Sequence, residues 1–206
     1  MKAEFLQVGI LGTNFYVITD EETGISAAID PGADFAELEP AVKDKNIKYI
    51  LITHGHYDHV FGAAELKRRT GAEIVIGEAD AENLHNIEKC NSGMRFPVIQ
   101  ETTEADITVK DGDEISVGNI KIKVMETPGH SMGSVCYIIP DENVIFSGDT
   151  LFSGSIGRTD FPTSEPFKMR NSLKKLADLD GDYKVFPGHG RFTTLDKERE
   201  SNYYLR

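Results

Sequence analysis

Thr53-His54-Gly55-His56-Tyr57-Asp58-His59 follows directly on the apolar run Tyr49 to Ile52. Histidine makes up 6 of 206 residues, so a window of this size should hold about 0.2 by chance, whereas this one holds three. Imidazole nitrogen and carboxylate oxygen are donors that zinc, iron and manganese take. A loop leaving a buried strand can turn closely spaced side chains towards one point. The segment therefore predicts a metal site at a strand end, where ligands in α/β proteins tend to collect.

Three further segments have the same form. His130 follows Val124-Met125-Glu126-Thr127-Pro128-Gly129, Asp149 follows Val144-Ile145-Phe146-Ser147-Gly148, and His189 follows Val185-Phe186-Pro187-Gly188. Each is a strand-like run, a small residue or Gly-Pro break, then a ligand-type side chain. The glycines allow backbone angles and close approaches that a side chain would obstruct. Alone, each of these residues reads as a solvated or capping residue; joined to the cluster at 54–59 they form one scheme. His85, in the polar stretch Glu78 to Lys89, stands outside it and reads as a surface residue.

Runs rich in β-branched and aromatic residues predict strands at Phe5–Ile10, Phe15–Thr19, Ile25–Ile29, Tyr49–Thr53, Glu73–Ile76, Ile120–Val124, Val135–Ile139, Val144–Phe146 and Tyr183–Phe186. Gly118-Asn119 suits a two-residue hairpin turn, and Lys121 and Lys123 alternate with Ile120, Ile122 and Val124 as on a half-exposed strand. Helical spacing is clearest over Ser164–Asp178, with Ser164 as cap and Met169, Leu173 and Leu176 as a core-facing stripe. Other helices are expected from Asp34 or Glu39, from Ala63 to Thr70 ending at Gly71, and from Thr193 or Thr194, where Thr193 and Asp196 have capping-box spacing. Gln100 to Asp106 reads as a polar loop. The mixture predicts a single α/β domain over residues 1–206, with sheets sandwiched by helices.

Composition fits a globular protein, at 39% hydrophobic, 27% charged and 9% aromatic residues. The net charge of −12 opposes a phosphate backbone or an anionic membrane surface, so neither nucleic acid nor membrane is an expected partner. Cys90 and Cys136 form neither a disulfide framework nor a CxxC pair, which suits a reducing, cytoplasmic setting. Met1 to Asp20 lacks the uninterrupted apolar stretch of a signal peptide, and no run reaches the ~18 apolar residues of a membrane span.

The four segments, taken in order, resemble the metal motifs of the metallo-β-lactamase superfamily over nearly the whole chain. The resemblance implies a four-layer αβ/βα sandwich with metals at one sheet edge. It implies that His54, His56 and His130 hold one metal, that Asp58, His59 and His189 hold a second, and that Asp149 bridges them. Thr127-Pro128-Gly129-His130-Ser131-Met132-Gly133-Ser134, Gly148-Asp149-Thr150-Leu151-Phe152, Ser155-Ile156-Gly157-Arg158-Thr159-Asp160-Phe161 and Phe186-Pro187-Gly188-His189-Gly190 resemble the short glyoxalase II-like thioester hydrolases. Aspartate rather than cysteine at 149 argues against a β-lactamase.

That resemblance implies two divalent ions, zinc first with iron or manganese as alternatives, and a locally positive centre in an acidic protein. Its expected chemistry is attack of a metal-bound hydroxide on a thioester or ester carbonyl, with Asp58 both binding metal and orienting the nucleophile. Asp30, ending a strand, either accepts a hydrogen bond from a ligand imidazole or forms an Asx turn. Arg158 either pairs with a substrate carboxylate or with Asp160. The family's C-terminal helical glutathione-binding domain has no counterpart here, so the acyl substrate stays open. Rival readings are a mononuclear iron persulfide dioxygenase, a nuclease and a non-catalytic metal-binding module. Oligomeric state is not readable from the chain.

Overall fold

In the computed structural model, which describes residues 1–91 and 100–205, the chain opens with an antiparallel meander of β1 (Lys2–Val8), β2 (Thr13–Thr19) and β3 (Ile25–Ile29). Parallel pairing follows. Helix α1 (Phe35–Val42) leads to β4 (Asn46–Ile52), and α2 (Tyr57–Val60) and α3 (Ala63–Thr70) lead to β5 (Glu73–Gly77). A 3-10 helix (Glu78–Leu84) and α4 (Ile87–Cys90) precede β6 (Ile107–Val109). These six strands form one sheet in sequential order.

The second sheet starts as a meander of β7 (Glu114–Val117), β8 (Ile120–Glu126), β9 (Val135–Ile139) and β10 (Val144–Gly148). A small hairpin of β11 (Leu151–Phe152) and β12 (Ser155–Ile156) stands apart from it. Helix α5 (Pro166–Ala177) then carries the chain to β13 (Lys184–Pro187), parallel to β10, before β14 (Thr193–Thr194) and α6 (Leu195–Ser201). The order across this sheet is β14-β13-β10-β9-β8-β7.

Period-two alternation sorts the side chains into layers. On β4, Ile50 and Ile52 pack outward with Leu38 and Val42 of α1 and Leu66 of α3, while Leu51 packs inward against the second sheet with Tyr137 and Phe146. On the far side, Cys136, Ile138 and Ile145 meet Met169, Leu173 and Leu176 of α5 and Leu195 of α6. Helix layer, sheet, sheet, helix layer is the αβ/βα sandwich expected above, and the α5 stripe is core. Among the described residues, no helix is long and apolar enough to cross a membrane.

Local chemistry sets the boundaries, and in places differs from the sequence reading. The first strand stops at Val8 rather than Ile10, because Gly9 and Gly12, both at φ +67°, build the turn into β2. Asp34 caps α1 by accepting from Glu37 N at 3.2 Å, and Pro40 lies inside that helix. The α5 N-terminus has Glu165 at its cap with no side-chain bond; Ser164 instead donates to the His130 carbonyl at 2.7 Å. Helix α6 is capped by Thr194, whose hydroxyl accepts from Lys197 N, while Thr193 donates to buried Glu198 at 2.6 Å rather than forming a capping box. The hairpin at Gly118-Asn119 pairs Val117 with Ile120, as its two-residue turn requires. Strands β6, β11, β12 and β14 have three residues or fewer, too short to show a period.

Candidate metal centre

Four strand ends open on one edge of the sandwich. The loop after β4 and the short α2 carry His54, His56, Asp58 and His59; the loops after β8, β10 and β13 carry His130, Asp149 and His189. The structure brings all seven together. Donor atoms of His54, His56 and His130 lie within 4.8 Å of one another, as do those of His54, His59 and Asp149 and those of Asp58, His59 and His189. Asp149 sits between the sets: its Oδ1 is 3.5 Å from His59 Nε2, and its Oδ2 is 3.5 Å from His130 Nε2 and 3.6 Å from His189 Nε2. Asp58 Oδ2 is 3.0 Å from His189 Nε2 and 3.4 Å from His59 Nε2.

Backbone packing explains the glycines beside these ligands. Gly148 takes φ +49° before Asp149, and a side chain there would strike the Thr53 hydroxyl at 2.4 Å. A Cβ on Gly188 would lie 2.2 Å from Asp149 Oδ1 and 2.7 Å from His59 Cε1, inside the cluster itself. Glycine keeps this space for ligands.

The donor set fits cations. His54 Nε2 and Asp149 Oδ1 are buried and have no hydrogen-bond partner. Leaving such atoms unpaired costs about 1–3 kcal/mol each, a penalty that an ion between them would remove. Burial, then the neighbouring imidazoles, push His54 well down and His56 down to about 3, so both present neutral lone pairs. His59 behaves oppositely: burial opposes its charge, but Asp58, Asp149 and Asp30 raise it to about 10. Asp58 is likewise opposed by burial and is held well below the carboxylate range by His59 and His189. The negative charge around His59 thus favours a cation, and a metal ion there would compete with the proton on His59.

Each imidazole's other nitrogen is anchored where the structure records a partner. His59 Nδ1 is 2.9 Å from Asp30 Oδ2, and Asp30 also accepts from Thr53 N at 2.8 Å and Thr53 Oγ1 at 2.7 Å. Of the two roles open to Asp30, the bond to an imidazole, that of His59, is the one seen. His54 Nδ1 meets Thr53 Oγ1 at 3.2 Å, His56 Nε2 meets Thr163 Oγ1 at 2.9 Å, and His130 Nδ1 meets the Arg158 carbonyl at 2.8 Å. The Arg158 guanidinium forks onto Asp160 at 2.6 and 2.7 Å and lies over the Phe161 ring. His85 is exposed and pairs with Glu104, as a surface residue should.

Several supporting residues gave no sign in the sequence. Thr13 donates to Asp58 Oδ2 at 3.1 Å. Asn14 Nδ2 donates to the Pro187 and Gly190 carbonyls on either side of His189, and the Tyr16 hydroxyl also reaches Pro187 O. Asp80, 1% exposed, accepts from Gly55 N, Gly133 N and Ser131 Oγ, tying the histidine loop to the loop that carries His130. Nothing local distinguishes Asp80 from the exposed Glu78 and Glu82 nearby. Cys90 and Cys136 are buried free thiols pushed up to about 12 and about 11 by burial, which leaves neither ionised as a nucleophile near neutral pH.

The family model for the metallo-β-lactamase superfamily matches residues 8–189. A hydroxyacylglutathione hydrolase of Haemophilus influenzae is 32% identical over 209 residues, spanning 100% of this chain and 98% of its own. Among solved structures, a B3 metallo-β-lactamase is 29% identical with a TM-score of 0.93, over 99% of each chain. A protein crystallised in a di-iron-bound form is also 29% identical, with a TM-score of 0.86 over 98% of this chain and 100% of that one.

Proposed function

Because this chain belongs to the metallo-β-lactamase superfamily, we propose that its histidine-aspartate cluster holds two divalent cations and hydrolyses a small acyl thioester of the hydroxyacylglutathione type. The observation that carries the reading is the convergence of seven donor side chains around two buried atoms without partners, His54 Nε2 and Asp149 Oδ1. His54, His56 and His130 would hold one cation, Asp58, His59 and His189 the other, with Asp149 between them. Cations bound there would supply Lewis acidity, polarising a carbonyl oxygen and making water acidic enough to ionise near neutral pH. We assign zinc; the di-iron form of the similar protein makes iron the competing occupant.

The chain's own groups do the positioning. Asp58, fixed by the Thr13 hydroxyl, would both hold a cation and orient the attacking water. Asp30 keeps the His59 ring turned so that Nε2 faces Asp58 and Asp149. Arg158 is our candidate for the substrate's carboxylate, since its pair with Asp160 is exposed at both ends and weak enough to exchange. The setting is assigned to the cytoplasm on the two unpaired thiols.

Metal analysis of the purified protein, run with a panel of thioesters, lactones, a β-lactam and a phosphodiester, tests the reading. Two zinc ions per chain with thioester turnover is the expected result. Iron with oxygen consumption, or preferential cleavage of the β-lactam or the phosphodiester, overturns it.

A further inference from the structure

Segment 157–164 carries the Arg158 guanidinium, yet it touches the cluster through other atoms. Its backbone passes against the ligands: a Cβ on Gly157 would lie 1.8 Å from the Asp149 carbonyl oxygen and 3.1 Å from His130 Nδ1. Immediately after it, the Arg158 carbonyl sits 2.8 Å from His130 Nδ1. A carbonyl oxygen only accepts, so Nδ1 must carry the proton and Nε2 is left with the lone pair. His130 Nε2 in turn faces His56 Nδ1 at 2.9 Å, and the far nitrogen of His56 meets Thr163 Oγ1 at 2.9 Å. Both rings therefore turn one nitrogen towards each other and give the other to the same segment.

The segment is itself latched. Phe161 N donates to Ser164 Oγ, Ser164 N donates to Phe161 O, and Ser164 Oγ donates to the His130 carbonyl. The Phe161 ring stands edge-to-face on both imidazoles, with centroids 5.0 Å from His56 and 5.5 Å from His130. Arg158 closes the far side through Phe161 and Asp160. By contrast, among the described residues Asp58, His59 and His189 meet Thr13, Asp30 and one another together with Asp149, and make no hydrogen bond or ion pair with segment 157–164.

We propose that Thr163 is the positioning residue of His56, and that segment 157–164 sets the rings of His56 and His130 while leaving Asp58, His59 and His189 to other supports. This rests on the two-cation reading above. With a cation between the two rings, the hydroxyl of Thr163 would accept the Nε2 proton of His56 and leave Nδ1 for the cation, as the Arg158 carbonyl does for His130 with the ring reversed.

The test compares wild type, Thr163→Val and Thr163→Ser, each stripped with chelator, refilled with zinc against a chromophoric competitor, and examined by 113Cd NMR. In Thr163→Val, which keeps the shape and loses the hydroxyl, affinity for one of two equivalents should fall about 10–100-fold while the other is unchanged. One of two cadmium resonances should shift, and Thr163→Ser should restore both readouts. Unchanged affinities, or an equal fall in both equivalents, overturn the proposal. If Thr163→Val does not fold when metal-free, ring-nitrogen NMR of the zinc-loaded wild type decides: a proton on His56 Nε2 supports the assignment, and a proton on Nδ1 refutes it. A wild type that takes up no cation brings down the proposed function together with this inference, whereas two bound equivalents with an indifferent Thr163→Val bring down this inference alone.

Discussion

Asp30 and Asp80 are both 1% exposed, both accept from neighbouring backbone and hydroxyl groups, and both serve the loop from Thr53 to His59, but they serve it differently. Asp30 Oδ2 reaches a ligand ring, His59 Nδ1, and so acts on charge: it helps raise His59 and fixes which nitrogen faces the cluster. Asp80 touches no ligand ring. It receives Gly55 N from between His54 and His56, and Gly133 N and Ser131 Oγ from beyond His130. Burial pushes its carboxyl up against the three hydrogen bonds that pull it down. One carboxylate tunes a ligand, and the other holds two loops in register. Burial alone does not reveal which role an acid has; the identity of its donors does.

Substitutions can break or sharpen that contrast. The ligand carboxylate itself sets the upper end of the scale: Asp58→Ala should lower thioester turnover about 10²–10⁴-fold while circular dichroism stays that of the folded chain, and retained turnover would refute its role. Asp80→Ala comes next, leaving buried donors without acceptors, and should cost about 3 kcal/mol in urea unfolding of the metal-free protein. Asp30→Ala should instead appear in zinc titration as a 10–100-fold weaker second equivalent. If Asp80→Ala weakens cation binding as much as Asp30→Ala does, the division of roles fails.

A separate effect follows from pH. His59 sits above its ordinary value of 6.5, at about 10, so the stability it lends the metal-free fold is full below pH 6.5 and is lost as pH rises through about 10. Urea midpoints of chelator-treated protein should fall across that window, less steeply in Asp30→Asn, and a flat wild-type profile would contradict the assignment. Least affected should be Arg158→Ala, whose pair with Asp160 is exposed at both ends, so that the same urea curves should superimpose on wild type.

The converging donor residues were legible because His130, Asp149 and His189 each follow a recognisable strand and a glycine, and because three histidines in a window as short as 53–59 defy composition. Strand β4 and the α5 stripe were legible for the same reason: their spacing repeats long enough to show a period. Thr13, Asn14 and Asp80 were not. Asn14 finds its partners at Pro187 and Gly190, over 170 positions along the chain, and a short polar side chain carries no local mark of a distant acceptor. Ser164 illustrates the converse, since a cap read from spacing was drawn instead to the His130 carbonyl once tertiary contact made that acceptor available.

The order of residues along the chain was enough to name the donors, the strands that deliver them and the layered frame, because alternation and residue chemistry act over a few neighbouring positions. Which nitrogen each imidazole turns inward, which buried acid supports a ligand, and that the Arg158 carbonyl meets His130 were settled only when both sheets closed on each other. Hydrogen bonds are short and directional, so their pairing depends on where remote backbone segments come to rest, a quantity no local pattern contains.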